Sequence, residues 1–340
     1  MRAWLLERHG SPDVLRLVER PEPVPGPGQV VVGVEAIGIN YAEILSRKGL
    51  YGWAPPLPYV PGMEVAGRIE AVGGGVDREP GEPVVVGTRH GAYATSLVVD
   101  AGRALPALEG FTVEENAAFP VNWATAWVGL VKLGRIREGD RVLVSPAGGG
   151  VGTAAVQLAR AHGCVVVAAA GSDAKLERVR ALGATATVNY RTAGWRERLR
   201  AAAGPGGVDV ALEMVGGEVF EAAKAVLAPF GQVVVAGYAS LDYSLWNPLS
   251  WWRAWRGKPR MGLDEMLRHS RGMSSSHLGY LLPEAGAMRS LLDELVDFVR
   301  RHGLRPRIGH VFSFDQLPEA HRLVESRRSW GKVVVRGGDR

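Results

Sequence analysis

A glycine-rich stretch carries the clearest chemical signal in this sequence. It follows the strand-like run 141–145 and opens the helix-like run 153–162. Glycines between a strand and a helix let backbone N–H groups approach a pyrophosphate at the positive end of the helix. The stretch therefore predicts a dinucleotide site, formed by Ala147, Gly148, Gly149, Gly150, Val151 and Gly152.

The residues after the next strand decide between the nicotinamide cofactors. NAD sites usually place an acid about 20 residues beyond the glycines, where it accepts from the ribose 2′-OH. Here that position holds Gly171, and the nearest acid, Asp173, comes two residues later. Ser172 and Lys175 offer a hydroxyl and an ammonium to a 2′-phosphate, although Ser172 could instead cap a helix and Lys175 could be solvated. The missing acid predicts NADPH.

Length and composition are those of an ordinary globular protein of two domains. The chain has 340 residues, of which 46% are hydrophobic, and a net charge of +5. This thinly spread charge argues against a nucleic-acid partner. No apolar run reaches the roughly 20 residues of a membrane span and no signal peptide is evident, so we expect a cytoplasmic protein. The single cysteine, Cys164, excludes an intrachain disulfide, and its apolar neighbours predict an inert buried thiol.

Two patterns divide the chain. Short strands cut by Gly and Pro predict a barrel-like domain over the first 120 residues. Alternating strands and helices over 121–283 predict a doubly wound parallel sheet. The predicted strands are 141–145, 164–169, 185–188, 208–213, 231–236 and 275–281, and the helices are 153–162, 174–182, 193–203 and 217–228. We expect the tail, which starts with an amphipathic helix over 283–302, to return to the first domain.

Several motifs occur in an order that resembles the zinc-independent, quinone oxidoreductase branch of the medium-chain dehydrogenase/reductases. They lie at 38–43, 47–51, 61–67, 125–127, 147–152 and 331–335. The segment 120–126 is most similar to the subgroup of vesicle amine transport protein homologues. The resemblance implies an α/β chain with a GroES-like β-barrel domain over 1–120 and 284–340 and a Rossmann domain over 121–283. It also implies that Tyr190 contacts the 2′-phosphate of NADPH.

The residues at the zinc positions of related dehydrogenases are poor metal ligands. Where those relatives carry a cysteine and a histidine, this sequence has Asn40 and Met63. Because Zn²⁺ prefers thiolate or imidazole ligands, no metal is expected. Without a Lewis acid, a small apolar acceptor that is already electrophilic, such as a quinone or an α,β-unsaturated carbonyl, is favoured over an alcohol. Glu64 resembles the family's buried glutamate and is expected to be structural.

The resemblance places three polar side chains near the substrate or the nicotinamide, namely Asn40, Tyr51 and Thr125. Asn40 could donate its amide, and Tyr51 its hydroxyl, to an oxygen that gains charge during hydride transfer. Other interpretations stay open, because Asn40 could hold a turn and Thr125 could pack a helix. Tyr41 could be a core aromatic, and Asn122 could cap the helix that contains Thr125.

Two segments bear on partners and on the choice of function. The Trp-rich segment 246–255 could be a substrate lid, a belt on an anionic membrane or a packed excursion. The strand 275–281 resembles the family's edge strand that pairs across a dimer, so we expect a homodimer. The leading interpretation is an NADPH-dependent, zinc-independent reductase of quinones or α,β-unsaturated carbonyls, with no membrane contact. The alternative is a non-catalytic, nucleotide-sensing protein that docks on a membrane or partner through the Trp-rich segment.

Overall fold

A computed structural model describes residues 1–237, 256–281 and 285–338 of the chain. The Trp-rich segment 246–255 lies outside these residues. The chain folds into two compact units, the first formed by Met1–Val121 with Arg305–Arg340 and the second by Asn122–Leu304.

A mainly antiparallel, barrel-like sheet forms the first unit. Its strands, numbered in chain order, are β3 (Gln29–Ile39), β4 (Glu64–Val72), β5 (Pro83–Gly87), β6 (Ser96–Asp100), β7 (Ala104–Pro106), β14 (Ile308–Phe312) and β15 (Lys332–Arg336). Strands β1 (Arg2–Leu6) and β2 (Leu15–Glu19) pair with each other in a separate antiparallel sheet. The strand order is β14-β15-β3-β4-β5-β7, and β6 also pairs with β3. The helices are α1 (Tyr41–Arg47), α2 (Val113–Ala117) and α11 (Leu317–Glu325). Inward-facing Val and Ile side chains fill the core, among them Val30, Val32 and Ile37.

A parallel sheet with helical crossovers forms the second unit. Its strands are β8 (Arg141–Ser145), β9 (Val165–Ala170), β10 (Ala186–Asn189), β11 (Val208–Glu213), β12 (Leu227–Val235) and β13 (Gly272–Ser275). The helices are α3 (Pro120–Trp127), which begins just before the unit boundary, α4 (Gly150–Ala161), α5 (Asp173–Ala181), α6 (Trp195–Ala203), α7 (Gly217–Ala225), α8 (Leu263–His269), α9 (Leu278–Leu281) and α10 (Ala285–His302). All neighbouring strands run parallel. The central strands read as continuous apolar runs because helices cover both faces of such a sheet.

The order of the parallel strands locates a ligand site. The sheet runs β10-β9-β8-β11-β12-β13. The chain therefore moves outward from β8 to β10 and then returns to lie beside β8 as β11. Open α/β sheets bind ligands at the carboxyl ends of the strands where the order reverses in this way. The expected α/β fold class, a barrel-like domain with a doubly wound parallel sheet, is confirmed.

The end of the second unit differs from the sequence prediction. The prediction of a strand over 275–281 is wrong, because β13 covers Gly272–Ser275 and the residues Leu278–Leu281 form a helical turn. Tyr280 N donates to His277 O at 3.1 Å, and the two rings lie 4.5 Å apart. The backbone of this turn therefore makes a hydrogen bond within the turn itself. The short apolar run 278–281 fits a strand and a helix equally well, so it could not reveal this.

Helix α10 falls on the other side of the predicted boundary at 283. It lies in the second unit, whereas the sequence analysis groups it with the first domain. The reason is an aromatic cluster on its apolar face. The Phe298 ring stacks on His162 at 4.2 Å and lies 5.2 Å from the Trp127 ring. Both partners belong to the parallel-sheet unit.

Candidate functional site

The glycine stretch forms a tight turn between β8 and α4. Ala147 is buried, and its N–H donates to Ala169 O at 2.8 Å, which ties the turn to β9. Gly149 is the N-cap residue, so Gly150, Val151 and Gly152 form the first turn of α4. The N–H groups of a first helical turn have no acceptor inside the helix and face an incoming ligand.

Two glycines of the turn have opposite surroundings. A Cβ on Gly152 would lie 2.1 Å from Pro146 O, so this position brings the helix against the backbone of the loop. A Cβ on Gly149 would meet nothing within 4 Å. The turn therefore closes tightly at one end and leaves open space at the N-cap, as a cradle for an anion requires.

Because Gly148 and Gly150 have no side chains, two neighbouring side chains lie close to their backbone. A Cβ on Gly148 would lie 2.9 Å from the Lys175 stem, and one on Gly150 would lie 2.5 Å from Asn122 Oδ1. Lys175 therefore lies over the turn. Asn122 is buried inside α3 rather than at its start, so it does not cap that helix.

Two cations, Lys175 and Arg191, lie near the end of β9, and we call this region the cationic corner. A Cβ on Gly171 would lie 2.8 Å from Arg191 Nε and 3.2 Å from Tyr190 Cε2. Burial lowers the pKa of Lys175, and the nearby charge of Arg191 lowers it further. Ser172 holds the N-cap position of α5, but its hydroxyl makes no capping hydrogen bond. The structure thus brings together the four predicted residues Gly171, Ser172, Lys175 and Tyr190, with Arg191 as a second cation.

Asp173, the acid that could serve an NAD ribose, is engaged elsewhere. It is exposed at the first position of α5, and its Oδ1 accepts from Asn189 Nδ2 at 3.0 Å. The Asn189 Oδ1 in turn accepts from the backbone N–H of Arg191 at 3.0 Å. Asp173 thereby helps to hold the turn that carries Arg191.

In the first unit, Asn40 lies in a buried polar network. Its Nδ2 donates to Glu64 Oε1 at 2.8 Å, and Lys332 Nζ donates to Asn40 Oδ1 at 2.6 Å and to Glu64 Oε1 at 2.5 Å. Because an ammonium can only donate, Lys332 fixes which end of the Asn40 amide is the acceptor. The Asn40 N–H donates to Glu43 Oε2 at 2.6 Å at the start of α1. The Asn40 backbone therefore fixes the start of α1, while each end of its side-chain amide has one hydrogen-bond partner.

This network extends through groups that the sequence analysis missed. Glu43 also accepts from Met63 N at 2.8 Å and from the Tyr93 hydroxyl at 2.9 Å, and that hydroxyl lies 2.8 Å from His321 Nε2. Burial raises the pKa of Glu43 to about 7, against the opposing effects of its hydrogen bonds and of Lys332. Burial and the charge of Arg47 lower the pKa of His321 to about 3, so the imidazole is neutral. The only sequence signal was charged residues within apolar segments.

The remaining predicted residues lie in varied surroundings. Tyr51 is half-buried in the loop after α1, with its ring edge-on to Trp53 at 6.5 Å. Thr125 is half-buried within α3, and Tyr41 is the first residue of α1. Cys164 is buried, and burial together with nearby acids raises the pKa of its thiol to about 11, which makes it unreactive.

The described ranges contain neither a cluster of potential metal ligands nor a helix suited to cross a membrane. Within them, no three His, Cys, Asp or Glu side chains stand together so that they could hold a metal ion. Among the same residues, no helix combines the length and apolarity that crossing a bilayer needs.

Comparison with known proteins identifies both units. The family model of an alcohol dehydrogenase GroES-like domain matches residues 26–110, and that of a zinc-binding dehydrogenase matches residues 150–257. This pair of domains defines the class of medium-chain dehydrogenase/reductases.

Individual relatives narrow the class. The chain is 37% identical to a quinone oxidoreductase of Rattus norvegicus, over 98% of this chain and 97% of that protein. It is 35% identical to the synaptic vesicle membrane protein VAT-1 homolog of Mus musculus, over 98% of this chain and 83% of that protein. The solved quinone oxidoreductase of Thermus thermophilus, reported also in complex with NADPH, is 38% identical, with a TM-score of 0.81 over 99% of this chain and 100% of that one. The chain belongs to the quinone oxidoreductase branch of the medium-chain dehydrogenase/reductases.

Proposed function

We propose that this oxidoreductase uses NADPH to reduce quinones or α,β-unsaturated carbonyls, without a metal ion. The cationic corner at the end of β9 carries the proposal. NAD enzymes usually carry an acid at the position of Gly171, whereas here Arg191 Nε lies 2.8 Å from where a Cβ on Gly171 would stand. Lys175 is close enough to Arg191 for the charge of that residue to lower its pKa. A phosphate group there would meet two cations and two hydroxyls, and charge-assisted hydrogen bonds of this kind are among the strongest in proteins.

The residues present fit NADPH. The first-turn N–H groups of α4 and the open space at Gly149 would receive the pyrophosphate, and Ser172, Lys175, Tyr190 and Arg191 would receive the 2′-phosphate. When bound, the nicotinamide supplies a hydride to the substrate. The protein's own task is to orient the substrate and to stabilise the charge that develops on its oxygen.

Polar side chains in the first unit would provide this stabilisation. The Tyr51 hydroxyl is a hydrogen-bond donor that would stabilise an enolate or hydroquinone oxygen. Asn40 is our second candidate donor, held rigidly by Lys332 and Glu64. Thr125 is proposed to lie beside the nicotinamide. Solvent would deliver the final proton.

The chemistry of the residues around Asn40 supports a mechanism without metal. Met63 offers a thioether and Asn40 an amide, both weak ligands for Zn²⁺. The buried Lys332 ammonium lies 2.6 Å from the Asn40 oxygen and 2.5 Å from the Glu64 oxygen. A positive charge already bonded to these oxygens would repel a metal cation.

The proposed activity is tested by following the oxidation of NADPH with a panel of quinones and enones, with and without a strong chelator. We expect turnover with several members of the panel and no loss on chelation. Failure of every acceptor would overturn the reductase, and loss of turnover on chelation would overturn the metal-free mechanism.

We further propose a cytoplasmic homodimer that forms at the edge strand β13. Among the described residues, β13 has β12 as its only strand partner. Large exposed hydrophobic side chains lie close to it in sequence, at Leu263, Leu267 and Tyr280. Light scattering on the intact chain should give twice the monomer mass. A monomer at all concentrations would contradict this assembly.

A further inference from the structure

One exposed arginine, Arg89, donates hydrogen bonds to the loop that carries Tyr51. Arg89 follows β5, and its Nε donates to Trp53 O at 2.9 Å. Its Nη2 donates to Ala54 O in a longer contact of 3.4 Å, and its guanidinium carbon lies 5.6 Å from the centre of the Trp53 ring. A planar guanidinium can hydrogen-bond at its edge and interact with an aromatic ring together, which a lysine ammonium does much less well.

Both residues that Arg89 contacts, Trp53 and Ala54, also contact Tyr51. The Trp53 ring meets the Tyr51 ring edge-on, with an interplanar angle of 89°. The backbone N–H of Ala54 donates to Tyr51 O at 3.1 Å, which closes a turn over 51–54. Arg89 therefore acts on both the ring and the backbone of Tyr51 through one intermediary each.

Arg89 itself projects from a firmly held backbone. On one side of it, Thr88 N donates to Met63 O at 2.8 Å, and on the other Gly91 N donates to Val60 O at 2.7 Å. Met63 in turn is bonded to the buried Glu43 carboxylate. The half-buried turn 51–54 is thus attached through Arg89 to a segment that the core of the first unit fixes.

We propose that Arg89 is a positioning residue that sets the place of the Tyr51 hydroxyl, acting through Trp53. The inference rests on the proposed function, in which Tyr51 donates to the substrate oxygen. Arg89 does not contact the substrate in this account. Placing a donor accurately matters because its contribution to the transition state falls steeply when it is displaced by a fraction of an ångström.

A double-mutant cycle tests the inference with the intact protein. We expect Arg89→Lys to lower kcat for quinone reduction by about fivefold or more, with little change in the KM for NADPH. In the Tyr51→Phe background the same change should have almost no effect, because the hydroxyl that Arg89 positions is already gone. Equal losses in both backgrounds, or no loss in either, would overturn the role.

A matched control is Arg196→Lys. Arg196 also lies over a tryptophan, Trp195, at 5.4 Å, but in the second unit. We expect its activity to equal that of the wild type. If Arg196→Lys lowered kcat as much as Arg89→Lys, the effect would not be specific to the contact beside Tyr51.

Hydrogen exchange measured by mass spectrometry provides a readout independent of activity. Arg89→Ala should speed amide exchange in the peptide that covers 51–54 and leave other core peptides unchanged. Unchanged exchange at 51–54 would overturn the attachment itself. If Arg89→Ala speeds exchange at 51–54 but the wild-type protein reduces no acceptor, the attachment is real and the proposed reductase function is wrong.

Discussion

Replacing Gly171 with aspartate should reverse the preference between the two nicotinamide cofactors. The new Cβ would lie 2.8 Å from Arg191 Nε and 3.2 Å from the Tyr190 ring, so the carboxylate would stand among the cations of the corner. The near contact is with a flexible side chain, which can move by a few tenths of an ångström. The carboxylate would pair with the cations proposed to hold the 2′-phosphate, and it would offer an acceptor to a free ribose 2′-OH.

The size of the effect follows from the contacts exchanged. Two hydrogen bonds to charged groups, each worth about 1.5–3 kcal/mol, would be lost to NADPH, which weakens its binding at least about 100-fold. NADH should gain roughly fivefold from one new hydrogen bond. Kd values for both cofactors, measured by fluorescence without substrate, give the result independently of turnover.

Gly171→Asn is the matched control, because asparagine has the same size without the charge. We expect it to weaken NADPH binding by far less than Gly171→Asp. If the two variants weaken NADPH equally, bulk rather than charge governs this corner. If Gly171→Asp leaves NADPH binding intact, the reasoning about the 2′-phosphate is refuted.

Three further predictions concern the cradle and the buried network. Gly152→Ala should lower the thermal midpoint of unfolding and abolish NADPH binding, because its Cβ would lie 2.1 Å from a backbone oxygen. Gly149→Ala should fold normally and only bind NADPH more weakly, because its Cβ would meet nothing within 4 Å. Equal thermal midpoints for the two variants would contradict this prediction. Lys332→Met should destabilise the protein by about 3–5 kcal/mol in urea unfolding by leaving Glu64 buried without a cation, and a loss below about 1 kcal/mol would contradict it. Glu43 has a folded pKa of about 7, raised from 4.5 by burial, so its protonated form stabilises the fold below pH 4.5 and this stabilisation is lost as pH rises through 7. Measured against Glu43→Gln, wild-type stability should fall by about 3 kcal/mol between pH 4.5 and 8, and a constant difference would contradict the raised pKa.

Local patterns were enough to predict the cradle and the parallel sheet. The run of glycines at 147–152 works within one turn, and the alternation of strands and helices reports burial on both faces of the sheet. The position of Gly171 at the end of the next strand and of Lys175 in the next helix was predictable for the same reason, since both lie within one strand and helix of the glycines. These features depend on residues that are near one another in the sequence.

Features that depend on distant residues were not predictable. The hydroxyl of Tyr93 joins Glu43 and His321, which belong to a strand-connecting helix and to the tail of the chain. No local pattern indicates which buried charge will meet which. The attachment of Trp53 to Arg89 spans 36 residues and was missed for the same reason. The helical turn at Leu278–Leu281 was predicted as a strand because four apolar or small residues fit either structure.

Turnover with both nicotinamide cofactors, with and without metal, distinguishes a metal-free NADPH-dependent reductase from an NADH-dependent or metal-dependent one. Steady-state reduction of a quinone acceptor is measured with NADPH and with NADH, before and after exhaustive chelation. We predict that kcat/KM with NADPH exceeds that with NADH by about 100-fold and does not change on chelation. Equal or better turnover with NADH, or activity that disappears with the metal, would contradict the account.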